Sequence, residues 1–406
     1  MDVAIDKNTR WPLVRLGDVC EIINGATPST SNSEYWDGGH AWITPAEMGK
    51  LDSPLVSDTR RKITDAGLQN CSAKLVPEYS VILSSRAPIG YVVINEIPMA
   101  FNQGCKGLVP GFKMNFQYLY YFLFAKNELL NELGTGTTFK ELSSGKLKEI
   151  LIPLPPLAEQ QRIVARLDAA FAAIAEASAA AVANLRNARA LFDSYLDQVF
   201  STRGAGWVER RLGDVCDFEN GDRGSNYPNR NEYVANGIPW INTGHILPDG
   251  RLSSIDMHFI TKEKYDSLRS GKIRAGDLVY CLRGATLGKT AITSPYSEGA
   301  IASSLVILRP SPNIEKMFLY FFMISHHGQK QIRKFENGAA QPNLGAKNVA
   351  QFVIPVPSLY DQKTSIEMLI LLREQTQTLQ RVFETKLTAL TELKQALLAE
   401  VFGAGA

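Results

Sequence analysis

The feature that most constrains this chain is a motif written twice. Ile152-Pro153-Leu154-Pro155-Pro156-Leu157 leads into Ala158-Glu159-Gln160-Gln161 and then into an alanine-rich run with no proline or glycine as far as Phe200. Ile354-Pro355-Val356-Pro357-Ser358-Leu359, followed by Asp361-Gln362 and a run to Phe402, repeats it 202 positions later. Proline fixes φ and removes a backbone donor, so each lead-in is predicted to be extended and each run that follows to be one long helix. A repeat of this length points to duplication of a domain together with its helix, not to a solenoid.

The globular stretches repeat in the same order. Trp11 with Leu16-Gly17-Asp18-Val19-Cys20 returns as Trp207 with Leu212-Gly213-Asp214-Val215-Cys216, and Asn24-Gly25 as Asn220-Gly221. Trp42-Ile43 matches Trp240-Ile241, and Leu119-Tyr120 matches Leu319-Tyr320. The offset drifts slowly, as small loop insertions would make it. The boundaries read as 1–157 for a first domain, 158–200 for a spacer helix, 201–357 for a second domain and 358–406 for a second spacer helix. Val81–Leu83 and Tyr91–Ile94, with Asp277–Leu282 and Ser304–Leu308, read as strands of a twisted mixed or antiparallel sheet. The stretches 116–133 and 314–335 have helical spacing, with core stripes at Tyr118, Tyr121 and Phe122 and at Phe318, Phe321 and Phe322. The fold class is therefore α+β: two tandem mixed α/β domains separated by two long helices.

In the central run, apolar residues step by three and four through Ile163, Leu167, Ala170, Ile174, Ala177, Ala181, Leu185, Ala188, Phe192, Tyr195 and Val199. That is one seam along roughly 60 Å of helix. The terminal run does likewise through Ile366, Leu369, Thr376, Leu379, Phe383, Leu387, Leu390, Leu393, Leu397 and Val401. Neither helix is apolar all round, and an alanine-rich face suits a leucine-rich one. The economical arrangement is an antiparallel coiled coil within the chain, with a pseudo-twofold; dimerisation between chains is the alternative.

No apolar run is long enough to span a membrane, and the polar N-terminus does not fit a signal peptide. Cys20, Cys71, Cys105, Cys216 and Cys281 lack metal or redox spacing, which suits reduced thiols in the cytoplasm. Net charge is +2. Residues 201–357 are the basic part, with 19 Lys/Arg against 14 Asp/Glu, whereas 1–157 hold 15 against 16. A nucleic-acid function would need locally concentrated charge or a partner that shares the phosphate contacts. Five dispersed histidines offer no metal cluster, and phosphate-loop, nucleophile-elbow, dinucleotide-binding, methyltransferase and nuclease motifs are absent. No motif supports an active site or a bound metal.

What remains suits recognition. Ser84-Ser85-Arg86 and Cys281-Leu282-Arg283 each leave a strand, and a rigidly held arginine can clamp a phosphate or grip a guanine. Asn102-Gln103-Gly104 with Lys106 faces Ala302-Ser303-Ser304 in the second half. Polar loops precede each proline lead-in: Thr137, Thr138 and Lys140 in the first, Gln341 and Asn343 in the second. Asn220 to Arg230, carrying Arg223, Ser225, Asn226 and Tyr227, is the basic and aromatic loop, and Asn242 and His245 follow Trp240-Ile241. Such side chains suit groove contacts.

This pattern resembles the specificity subunits of type I restriction–modification systems. The resemblance rests on the repeated Trp and Leu-Gly-Asp-Val start, Ser84–Gly90, Asn102-Gln103-Gly104, the Gly136–Leu142 loop, both proline lead-ins and the second long helix. It implies two target-recognition domains, each reading one half of a bipartite, asymmetric site on double-stranded DNA. It implies that the helices act as a ruler and dock two adenine-methyltransferase subunits, and that motor–nuclease subunits join the restricting complex. AdoMet and ATP would belong to those partners and no cofactor to this chain. Partner contacts would fall at Pro153, Pro155, Leu157, Gln160 and Gln161, and at Pro355, Pro357 and Gln362. The competing reading is a non-catalytic coiled-coil scaffold whose globular halves bind protein.

Overall fold

The computed structural model describes residues 11–136, 140–202, 204, 206–335 and 343–403. The chain divides into two compact units. The first comprises residues 1–181 and 385–406, the second residues 182–384.

In the first unit, Leu13–Arg15 pairs antiparallel with Leu151–Pro153, so the proline lead-in begins as a strand at Ile152 and Pro153. A five-stranded sheet runs in the order Cys20–Asn24, Cys105–Pro110, Val81–Ser85, Ile89–Asn95 and Leu55–Val56. A three-stranded sheet centres on Trp36–Ile43, flanked by Arg61–Ile63 and Met99–Phe101. The second unit repeats the plan. Val208–Arg211 pairs with Val353–Val356. One four-stranded sheet is Cys216–Asn220, Leu305–Pro310, Leu278–Cys281 and Thr290–Ile292, and the other is His258–Ile260, Ile238–Ile241, Glu298–Ile301 and Lys272–Arg274.

The aromatic stripes are core: Tyr118, Phe122, Phe318, Phe321 and Phe322 have no exposed surface and Tyr121 is 7% exposed. Each stretch predicted as one helix is two. The first breaks at Lys126, between Phe116–Ala125 and Asn127–Leu133. The second breaks at Ser325, which turns extended and caps His326–Ile332 by accepting the Gly328 N–H at 3.2 Å.

The central helix runs Leu157–Ser201 and the terminal helix Leu359–Phe402. Their pairing is antiparallel within each unit. In the first, Ile163, Val164 and Leu167 share a core with Leu398 and Phe402, and the Lys394 ammonium lies 4.8 Å from the Phe171 ring. In the second, Leu196 and Phe200 share a core with Leu369, and Arg189 meets Glu384 at 3.4 Å. Phe402 packs on Tyr118 and Phe122 as Phe200 packs on Phe318 and Phe322, with ring separations of 5.1–5.8 Å. Leu379 and Leu393, expected in the seam, face outward. The ammonium of Lys394, one residue on from Leu393, lies over the Phe124 and Phe171 rings instead, 5.1 and 4.8 Å from their centres.

Candidate nucleic-acid interface

Each unit builds the same backbone frame at the end of its sheets. Ser85 N donates to Gly104 O at 2.7 Å, and Ser85 O accepts from Leu142 N at 2.9 Å. In the second unit Leu282 N donates to Ser304 O at 2.9 Å, and Leu282 O accepts from Leu344 N at 2.9 Å. The residue stitched on both sides points its side chain inward, so its alternate neighbour on the strand, Arg86 or Arg283, points out and is exposed. Arg86 bridges to Glu141 and Arg283 to Asn343, which ties the polar loop to the arginine in both halves.

The repeated Asn-Gly supplies the second part of the frame. A Cβ at Gly25 would lie 1.9 Å from Asn102 O, and one at Gly221 2.5 Å from Ala302 O. Only glycine lets the chain cross the end of the neighbouring strand this closely. The crossing brings the next loop against the strand end: Thr27 donates its hydroxyl to Gln103 Oε1, and Arg223 Nη2 reaches Ser303 O at 3.5 Å. Arg86, Asn102 and Gln103 thus line one depression of about 350 Å³ with Thr44, Pro45 and Gly104.

In the second unit the basic loop is anchored by Asp222, whose carboxylate accepts from the N–H groups of Arg269 and Gly224, both at 2.8 Å. Those two bonds hold it below the usual carboxylate range. Asn226 donates to Ser267 O at 2.7 Å, and Tyr227 packs edge-on against Trp240 at 5.3 Å. These two hold the loop, leaving Arg223 and Ser225 exposed. Asn242 caps its own turn, accepting from Gly244 N at 2.8 Å, and lies 3.3 Å from His258 Nδ1.

Several expected contacts are corrected by burial. Ser85 is fully buried, and its hydroxyl finds no partner among the described residues. Lys106 is 6% exposed with its ammonium 3.7 Å from Glu141, so it braces the polar loop from beneath. His245 is 3% exposed, and its Nδ1 accepts from Asn242 N at 3.1 Å; burial, with His258 beside it, lowers its pKa. Lys140, Asn343 and Gln103 are exposed and Asn102, Ser303 and Ser304 half-buried. Thr137, Thr138 and Gln341 lie outside the described residues.

The partner set is corrected likewise. Gln160 is fully buried: its Nε2 donates to Lys113 O at 2.9 Å and Pro155 O at 2.8 Å, and its Oε1 accepts from Asn115 N at 2.8 Å. Gln362 does the same with Asn313 O, Pro357 O and Glu315 N, at 3.0, 3.1 and 2.9 Å. Each glutamine latches its long helix to the loop that starts the aromatic helix. Pro153, Pro155, Pro355 and Pro357 are buried with them. Leu157 and Gln161 stay exposed at the first junction, and Leu359, Tyr360 and Lys363 at the second.

Burial pushes the thiols of Cys20, Cys105 and Cys216 up to about 12, so they stay protonated and unreactive at neutral pH. Among the described residues no helix is long and apolar enough to cross a membrane.

The architecture is shared with solved structures. One, described as the structural basis of complex assembly and conformational transition of the type I R-M system, superposes with a TM-score of 0.75 at 21% identity, covering 98% of this chain and 100% of that one. The HsdS subunit from Thermoanaerobacter tengcongensis does so with a TM-score of 0.63 at 22% identity, covering 98% and 97%. The fold is therefore that of a type I specificity subunit. The family model for the type I restriction modification DNA specificity domain matches residues 8–183 and again 205–384, and the chain belongs to that family, with two such domains in tandem. The specificity subunit of type I restriction enzyme MjaIX from Methanocaldococcus jannaschii is 28% identical over 365 residues, covering 86% of this chain and 83% of the relative. That of EcoBI from Escherichia coli is 25% identical over 335 residues, covering 75% and 69%.

Proposed function

We propose that this chain is the non-catalytic reading subunit of a type I complex, with each domain contacting one half of a bipartite, asymmetric DNA site. One observation carries the reading. The same stitched frame, with an exposed arginine at Arg86 or Arg283, is built twice, yet the side chains around that arginine differ: Asn102 and Gln103 in the first unit, Arg223 and Ser303 in the second. A shared frame with different side chains is what two readers of different half-sites require. Thr137, Thr138 and Gln341 join the proposed contacts on their sequence positions alone.

The paired helices set the spacing between half-sites and carry the docks for two adenine-methyltransferase subunits. Leu157 and Gln161, with Leu359 at the matching junction, are the exposed residues that support this placement. The target adenines are flipped into those partners, which bind AdoMet. Motor–nuclease subunits using ATP join the restricting form, in the cytoplasm.

Co-expression with a methyltransferase subunit, followed by mapping of modified adenines across the host genome, tests the reading. A two-part motif with unlike halves is expected. Methyl transfer by this chain alone, or a complex that modifies DNA without sequence preference, would overturn it.

A further inference from the structure

Beyond the loops that the sequence singles out, each recognition domain holds a planar donor flat on an aromatic ring beside its buried tryptophan. In the first domain the Arg61 guanidinium carbon lies 3.6 Å from the centre of the Trp36 ring. Arg61 pairs with Trp42 across the strands, and Trp36 packs edge-on against Trp42 at 5.1 Å. In the second domain His258 occupies that strand position, paired with Trp240. Its imidazole stacks on Tyr233 at 4.7 Å, with 22° between the planes. Trp36 and Tyr233 each close a short 3-10 turn, Ser33–Tyr35 and Arg230–Glu232.

Both groups are exposed and incompletely hydrogen-bonded. No acceptor for the Arg61 guanidinium and no partner for His258 Nε2 occurs among the described residues; His258 Nδ1 is 3.3 Å from Asn242. Stacking fixes the plane of each ring or fork, and a guanidinium held in one plane presents its donors bidentately. Both also join the frame described above. Trp42 Nε1 donates to Ala26 O at 3.0 Å, in the turn that carries Thr27. Asn242, beside His258, occupies the place where Thr44 lines the first domain's depression, immediately after the paired tryptophan strands.

We infer that Arg61 and His258 are specificity-determining residues, each reading a base edge in its own half-site. The inference rests on the DNA-reading function proposed above. A base edge accounts for the pair better than a phosphate does. Every phosphate is alike, so a clamp has no reason to be an arginine fork in one domain and a single imidazole donor in the other. Arg61 offers the two-donor fork that matches guanine O6 and N7, and His258 offers one donor, from Nε2.

The test uses the assembled complex and the genomic DNA of the co-expressing host as probe. Arg61→Ala should make one position of one half-site degenerate, with about 5- to 150-fold less discrimination there and the other half unchanged. His258→Ala should do the same at one position of the other half-site. Arg61→Lys, which keeps the charge but not the fork, should behave like Arg61→Ala and keeps the question open to refutation if the alanine variant does not fold. A lysine variant with wild-type preference, or a uniform loss of modification with an unchanged motif and melting temperature, would assign Arg61 to packing or phosphate and overturn the inference. Absence of any two-part motif with the wild-type complex would instead defeat the DNA-reading proposal itself.

Discussion

Set side by side, the two recognition domains share a backbone and differ in what fills it. Strand registers place Ile23, Ser80 and Val109 of the first where the second has Glu219, Asp277 and Arg309. The first set is apolar apart from a serine. The second is an ionic cluster, with Arg309 2.8 Å from Asp277 and 3.3 Å from Glu219, while Glu219 also accepts from the N–H groups of Gly271 and Lys272. Lys106 and Glu141 form an ion pair where the second domain has Val306 and Asn343. The backbone stitches survive every exchange. Geometry at the reading edge is therefore set by main-chain hydrogen bonds, which leaves side chains free to diverge, provided that each exchange is made good by neighbours.

The sharpest way to break the comparison is at the exchanged core. Arg309→Met leaves Asp277, whose side chain is 2% exposed, without its ion partner and should cost the second domain about 3–5 kcal/mol. Val109→Ala at the matching place should cost about 1 kcal/mol. Urea unfolding measures both; equal costs would show that the ionic cluster is not integral to the second core.

Where the domains are alike, matched changes should give matched effects. Gln160→Ala and Gln362→Ala each leave a backbone N–H and two carbonyls without their buried partner, and each should cost about 2–3 kcal/mol. A large loss from one and none from the other in the same unfolding experiment would refute the common latch.

Acid should separate the domains again. His245 has a lowered folded-state pKa, so its contribution is whole above the ordinary histidine range and is lost as pH falls through it. Asp222, also lowered, contributes above the ordinary carboxylate range and loses its contribution as pH falls further, through its depressed value. The second domain should therefore lose stability between neutral pH and about pH 5.5, and His245→Gln should flatten that slope. Thermal melts at both pH values decide it; an unchanged slope in the variant would contradict the assignment. The smallest effect is Ser85→Ala, which removes a buried hydroxyl that has no partner among the described residues and should be neutral or stabilising by up to about 1 kcal/mol in the same melts.

The architecture was legible because duplication repeats its main elements: the proline lead-ins, the long helices, the four strand segments read from the sequence and the aromatic cores fall where the sequence places them, whereas each aromatic helix breaks in two and the shorter strands were not read. The arginines at the strand ends and their polar loops were legible for the same reason. Burial was not. Gln160, Lys106 and His245 are polar residues beside loops, and only the fold shows that their polar atoms face inward. The stacked pair was hidden by a one-residue slip. Sequence aligns Tyr35 with Tyr233 through the shared Glu-Tyr pair, whereas Trp36 does the stacking in the first domain. The repeated 3-10 turn beside a tryptophan strand was the available signal.

The central claim is that the domains read and the helices measure. Inserting seven residues into the central helix and seven at the matching place in the terminal helix keeps the seam in phase. Modified adenines are then mapped with the assembled complex. Both half-sites should keep their bases while the spacer between them changes in length. An unchanged spacer, or a change in the bases of either half-site, would contradict the account.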